Sequence, residues 1–157
     1  MSTHVPASAS LSTHDTTRVD DLRIGAVRPL ITPALLQEWL PTPPAAQALV
    51  ESSRAALSRV LHGQDDRLIV VVGPCSIHDY DAAIDYATRL AALKHELADR
   101  LIIVMRVYFE KPRTTAGWQG LPNAPYLHAS YRTDEGPRTA RQPLVATPRV
   151  GMACANL

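Results

Sequence analysis

Apolar residues follow two kinds of pattern along this chain, and together they predict alternating helices and strands. Apolar side chains recur every three or four positions at 44–61 and at 79–99, which is typical of helices that bury one face. A shorter helix is predicted to open at Thr32, because a proline follows this capping residue. An apolar run at 67–72 predicts a strand that is buried on both faces, and a second apolar run at 101–107 predicts the next strand.

The order strand, helix, strand predicts a βαβ unit, in which the two strands are parallel neighbours. The chain is therefore expected to have an α/β fold. Residues 1–16 are rich in serine, threonine and histidine without an apolar period, and we expect a disordered arm there.

The last part of the chain, residues 122–157, is predicted to be irregular because prolines interrupt it. The stretch 134–145 has the content of a helix, but Pro143 lies inside it. A proline within a helix costs about 3 kcal/mol or more. The pattern therefore predicts a broken helix in this part of the chain.

Composition narrows the classes of function. The chain has 157 residues, of which 46% are hydrophobic, and a net charge of +1. This describes a globular protein and gives no support for binding to nucleic acid or to a membrane surface. Cys75 and Cys154 are far apart and suggest no disulfide framework, which favours a reducing compartment such as the cytoplasm. Neither a signal peptide nor a membrane-spanning apolar run is predicted.

Candidate chemistry follows both predicted strands. The second strand leads into Arg106, Lys111, Arg113 and Thr114, which are side chains suited to phosphates and carboxylates. The alternative is a solvated basic loop that pairs with Glu110. Because carboxyl ends of parallel strands meet at one edge of a sheet, these groups are expected to join those after the first strand in an active site.

After the first strand, Cys75 and His78 form a C-x-x-H pair. A thiolate at Cys75 is a ligand for a transition metal, whereas the alternative is a small buried cysteine beside a histidine that caps a helix. Ser76 lacks a paired base, so no serine nucleophile is expected. Trp118 is expected to belong to the core.

The motifs GPCSIHD at 73–79 and MRVYFEKPRTTAGW at 105–118, at this separation, resemble the type I 3-deoxy-D-arabino-heptulosonate-7-phosphate (DAHP) synthases. These enzymes are also called phospho-2-dehydro-3-deoxyheptonate aldolases. The resemblance covers roughly 17–121. It implies the first part of a (β/α)8 TIM barrel with an N-terminal helical extension. It also implies a transferase that condenses phosphoenolpyruvate with erythrose 4-phosphate to give DAHP and phosphate, the first step of the shikimate pathway to aromatic amino acids.

The resemblance also implies roles for individual residues. Arg106 and Lys111 would be the catalytic contacts to phosphoenolpyruvate, and Arg113 and Thr114 would hold erythrose 4-phosphate. Cys75 would be one ligand of a divalent cation of the Mn, Fe, Co or Zn type.

The same resemblance divides the chain. Residues 17–64 would form the extension, which serves homo-oligomer contacts and feedback inhibition by an aromatic amino acid. Residues 65–121 would form the first βαβ part of the barrel, and residues 122–157 the divergent end.

The family's other metal ligands, a histidine, a glutamate and an aspartate, lie on later strands than this chain contains. We therefore expect an incomplete barrel and an incomplete metal site, and an N-terminal fragment that is inactive alone. One alternative is a non-catalytic interaction module that associates with a full-length synthase. A related octulosonate 8-phosphate enzyme is a further alternative, against which the run at 111–118 and the N-terminal extension argue.

Overall fold

The computed structural model describes residue 27 and residues 29–110, 117–126 and 132–156. The arm expected at 1–16 lies outside the described residues. In chain order the elements are α1 (Pro33–Trp39), α2 (Pro44–Leu61), β1 (Leu68–Val72), α3 (Tyr80–Glu96), β2 (Leu101–Arg106), α4 (Gly136–Ala146), a 3-10 helix (Thr147–Val150) and β3 (Cys154–Ala155). Among the helices described, none is long and apolar enough to cross a membrane.

The three strands form one parallel sheet in the order β1-β2-β3. Val72 at the end of β1 is paired with Met105 on β2, and Met105 is paired with Cys154 on β3. Helix α3 connects β1 to β2, and α4 lies between β2 and β3 along the chain. The predicted α/β fold with a βαβ unit is therefore confirmed.

Side-chain caps fix where two of the helices begin. The carboxylate of Asp79 accepts a hydrogen bond of 2.7 Å from the backbone N–H of Ala82, so α3 starts one residue later, at Tyr80. The hydroxyl of Thr32 accepts from the N–H of Leu35 at 3.4 Å at the start of α1. Both caps satisfy N–H groups that a helix leaves without partners at its first turn.

The core lies between α3, α4 and one strand, β2. The four central residues of β2 are buried, whereas on β1 Leu68, Val71 and Val72 are 68%, 44% and 37% exposed. The prediction that 67–72 is buried on both faces is therefore wrong. The physical reason is position, because β1 lies at the edge of the described sheet, whereas α3 packs against β2.

Helix α4 continues through Pro143, so the prediction of a broken helix is wrong. Pro143 is fully buried near the last turn, and its carbonyl accepts from both the backbone N–H and the hydroxyl of Thr147. Arg141 anchors the same turn, since its guanidinium donates to the carbonyl of Leu40 at 2.8 Å and to the hydroxyl of Thr42 at 3.4 Å. Burial and these tertiary hydrogen bonds offset the hydrogen bond that the proline removes.

Candidate functional site

The loops that follow β1 and β2 lie against each other. Gly73 packs so closely on β2 that a Cβ atom there would lie 2.2 Å from the carbonyl oxygen of Arg106, so only glycine fits. Further along, the N–H of Ile77 donates to the carbonyl of Tyr108 at 2.7 Å. The carboxyl ends of the two strands thus form one continuous surface, as the sequence predicted.

Arg106 is the side chain that joins the two motifs. Its Nη1 donates to the carbonyl oxygens of Pro74 at 3.2 Å and Cys75 at 3.0 Å. Its Cζ lies 4.6 Å from the centroid of the Tyr108 ring, which is a cation–π distance. The guanidinium therefore lies beside the backbone of the Cys75 loop, at the end of the strand.

Lys111, Arg113 and Thr114 lie outside the described residues, so their predicted roles stay predictions. The residues on either side of that segment are described. Glu110 and Gly120 form an antiparallel bridge. Gly120 has a φ of +106°, and a Cβ atom there would lie 2.2 Å from the carbonyl of Phe109. The residues before and after the basic segment are thus held together at the end of β2.

Cys75 and His78 have different surroundings in the structure. Cys75 is exposed, and the His78 ring packs edge-on against Trp118, with 6.2 Å between centroids and an angle of 82°. Asp79, and not His78, caps α3. The alternative of a buried cysteine beside a capping histidine is therefore wrong.

A metal site is not complete in the described part of the chain. Within it, no three histidine, cysteine, aspartate or glutamate side chains come together in a way that could hold a metal ion. A catalytic zinc site, for comparison, needs three protein ligands. The described residues therefore do not fit a divalent cation on their own, and Cys75 is a single candidate donor.

Two further residues complete the surface. Trp118 packs against the core cluster and donates its ring N–H to the carbonyl of Ala124 at 2.7 Å, which confirms its core role. The hydroxyl of Ser76 is shielded from solvent and has no hydrogen-bond partner among the described residues. Sequence reasoning missed Tyr108, although its spacing of two from Arg106 places both side chains on the same side of an extended chain.

Residues 44–151 match the sequence profile of the DAHP synthetase I family. Over 137 residues the chain is 51% identical to phospho-2-dehydro-3-deoxyheptonate aldolase of Haemophilus influenzae, covering 87% of this chain and 38% of that protein. The Phe-sensitive aldolase of the same name from Escherichia coli K12 is also 51% identical, with 87% of this chain and 39% of that protein covered.

A solved structure of phospho-2-dehydro-3-deoxyheptonate aldolase from Francisella tularensis SCHU S4 is similar to this chain. Its TM-score is 0.78 at 42% identity, and the match covers 85% of this chain and 39% of that one. The chain thus spans about two fifths of the length of these relatives. With its sequence profile, its relatives and its fold in agreement, this chain belongs to the DAHP synthetase I family.

Proposed function

We propose that this chain carries the phosphoenolpyruvate-binding part of a 3-deoxy-7-phosphoheptulonate synthase. Such an enzyme condenses phosphoenolpyruvate with erythrose 4-phosphate and consumes one water to give DAHP and phosphate, the first step of the shikimate pathway. One observation carries the proposal: the guanidinium of Arg106 lies at the end of β2 and donates to the carbonyls of Pro74 and Cys75. The two motifs that define the resemblance therefore share one surface.

The chemistry assigned to the chain is binding and orientation. Arg106 and Lys111 would neutralise the phosphate and carboxylate of phosphoenolpyruvate, and Arg113 and Thr114 would hold the phosphate of erythrose 4-phosphate. Holding both substrates brings the enol carbon of one against the aldehyde carbon of the other, between which the new bond forms. Orientation of this kind and fixed positive charge are large contributors to catalysis.

Cys75 is the one ligand that the resemblance assigns to a divalent cation of the Mn, Fe, Co or Zn type. In the family such a cation makes the aldehyde a better electrophile. No group of three donors among the described residues includes Cys75, so these residues alone would not hold such a cation.

The sheet and the N-terminal helices would have separate roles in a whole enzyme. Strands β1 to β3 would be the first three strands of a (β/α)8 barrel, which their parallel order with intervening helices supports. Helices α1 and α2 would contact other subunits and respond to an aromatic amino acid. The exposure of Leu35 and Trp39 on α1 supports a contact role, and two relatives have the names Phe-sensitive and Trp-sensitive.

Binding of phosphoenolpyruvate to the full chain tests the proposal directly by titration calorimetry. Arg106→Ala removes a charge-assisted donor, and we expect the affinity to fall about tenfold or more. Arg89→Ala is the matched control, because Arg89 is an exposed arginine on α3 that pairs with Asp85. Equal affinities for the wild type and Arg106→Ala would contradict the role of Arg106.

Catalysis is tested in a chimera, in which residues 65–121 replace the aligned segment of the Escherichia coli Phe-sensitive relative. We expect DAHP formation in the presence of manganese, and a loss of about a hundredfold or more in kcat/KM when Arg106→Ala is added. A chimera that folds and assembles like its parent but forms no DAHP would show that these residues do not support the reaction.

A further inference from the structure

We infer that Gly73 is a positioning residue, whose lack of a side chain lets the loop of Cys75 lie close enough to the end of β2 to orient the guanidinium of Arg106. The inference rests on the proposed function, because the ligand that Arg106 would receive is phosphoenolpyruvate. A guanidinium recognises the phosphate and carboxylate of such a ligand through two parallel hydrogen bonds, so its orientation affects the affinity.

The approach of Gly73 to β2 leaves no space for a side chain. A Cβ atom at this position would lie 2.2 Å from the carbonyl oxygen of Arg106 and 3.0 Å from its carbonyl carbon. Both are backbone atoms, which cannot rotate away as a side chain would. Because nonbonded heavy atoms attract each other best at roughly 3.5 Å, Gly73→Ala would have to separate the two backbones by about 1 Å or more.

That separation would act on the two carbonyl groups that Arg106 binds. Its Nη1 lies 3.2 Å from the carbonyl oxygen of Pro74 and 3.0 Å from that of Cys75, and Pro74 directly follows Gly73. An increase of about 1 Å would take both distances beyond the range of a hydrogen bond. Arg106 has further interactions, so we expect its guanidinium to be reoriented and not released.

The chain is fixed on either side of the short segment 73–76. Before it, the last residue of β1 is paired with Met105 on β2. After it, the N–H of Ile77 donates to the carbonyl of Tyr108 at 2.7 Å, and the Ile77 side chain is buried in the core. A displacement at the start of the segment is therefore confined to the segment, which includes both of the carbonyl groups.

The first measurement is the affinity of the full chain for phosphoenolpyruvate by titration calorimetry. We expect Gly73→Ala to weaken binding about threefold to tenfold, as for the loss of one or two hydrogen bonds. In the Arg106→Ala background Gly73→Ala should cause no further loss, because no guanidinium is left to orient. A general loss of stability would instead weaken binding in both backgrounds.

Gly63→Ala is the matched control for a substituted glycine. Gly63 has a φ of +68°, and no atom lies within 4 Å of the position of its Cβ. Alanine there strains the backbone after α2 without pushing any element away. We expect the affinity for phosphoenolpyruvate to stay at the wild-type value.

The second measurement needs no ligand. The carbonyl ¹³C signals of Pro74 and Cys75, recorded by NMR of the full chain, report whether these groups accept hydrogen bonds. We expect Gly73→Ala to shift both signals in the same direction as Arg106→Ala does, and Gly63→Ala to leave both in place.

Thermal unfolding of each variant follows its stability. If Gly73→Ala does not fold, Pro74→Gly takes its place, because it loosens the same segment without adding an atom near β2. The same shift of the two carbonyl signals is then expected, with a loss of affinity of about twofold to fivefold.

The two hypotheses fail in different ways. Wild-type carbonyl signals in Gly73→Ala or its replacement, or an equal loss of affinity with and without the Arg106 side chain, would overturn the inference about Gly73. A folded wild-type chain that binds no phosphoenolpyruvate, although the variants give the expected NMR pattern, would contradict the proposed function and leave the geometric role of Gly73 supported.

Discussion

Strands β1 and β2 have similar apolar sequences, LIVVV and LIIVMR, yet their surroundings differ. Helix α3 packs against β2, whose four central residues are buried, whereas β1 exposes Leu68, Val71 and Val72. An apolar run shows that a segment can form a strand. How deeply that strand is buried depends on the elements that pack against it.

The comparison between β1 and β2 also concerns function. Both strands end at the candidate site, but β2 supplies Arg106 directly after the buried Met105, while β1 supplies the loop that Arg106 binds. A rigid strand that carries the charged side chain keeps its geometry defined. The loop after β1 is held by hydrogen bonds to the side chain of Arg106, at the end of β2, and to the carbonyl of Tyr108, which follows it.

The largest expected difference between the strands is in core stability. Met105→Ala on β2 removes a fully buried side chain and is expected to lower the free energy of unfolding by about 2–5 kcal/mol. Val71→Ala on β1 removes a side chain that is nearly half exposed, and about 1 kcal/mol or less is expected. Urea denaturation of both variants measures the difference. Equal losses would mean that β1 is covered in solution.

The two cysteines should show the same contrast in their reaction with a thiol reagent. Cys154 on β3 is paired with Met105, and burial raises the pKa of its thiol, whereas Cys75 after β1 is exposed. We expect the thiol of Cys75 to react at least about tenfold faster than the thiol of Cys154, at about pH 8. Cys75→Ser should remove the fast phase and Cys154→Ser the slow one. A fast phase that persists in Cys75→Ser would contradict this assignment.

The smallest expected effect is the pH dependence of an ion pair just before β1. The hydrogen bond from the Arg67 side chain lowers the pKa of Asp65 from 3.8 to about 2. Because the pKa is lower in the folded state, the pair stabilises the protein fully above about pH 5 and progressively less as the pH falls towards 2. Asp65→Asn should therefore destabilise the chain at neutral pH and make little difference near pH 2.

Adding Arg67→Met isolates the contribution of this pair in a double-mutant cycle. In that background the pH dependence of Asp65→Asn should become smaller, as measured by thermal unfolding across the pH range. The backbone N–H of residue 67, which also donates to Asp65, should account for what remains. An unchanged pH dependence in the Arg67→Met background would mean that the Arg67 side chain is not the group that lowers the pKa of Asp65.

The sequence predicted the bounds of one helix with a repeating apolar pattern and of two strands with continuous apolar runs. The bounds of α2 agree with the predicted 44–61, and β1 and β2 each differ from prediction by one residue at one end. Strand β3 escaped prediction because two residues, Cys154 and Ala155, are too few for a pattern. The continuity of α4 depends on tertiary contacts that no local pattern contains.

The candidate site was predicted in part. Arg106 and the Cys75 loop meet as expected, because adjacent parallel strands end at one edge. The spacing of Tyr108 and Arg106 indicates only that their side chains lie on the same side of the chain. The distance between the Tyr108 ring and the guanidinium depends on how the loop after β2 folds. The roles of Lys111, Arg113 and Thr114 stay predictions.

The hydrogen bonds of Arg141 to Leu40 and Thr42 have a consequence for how the chain is made. They join residues 101 and 99 positions apart. At a synthesis rate of about 5–20 residues per second, roughly 5–20 s pass between the emergence of Thr42 and that of Arg141 from a ribosome. During that time the turn between α1 and α2 has not gained its partner. The N-terminal helices must therefore dock against α4 late in the synthesis and folding of each chain.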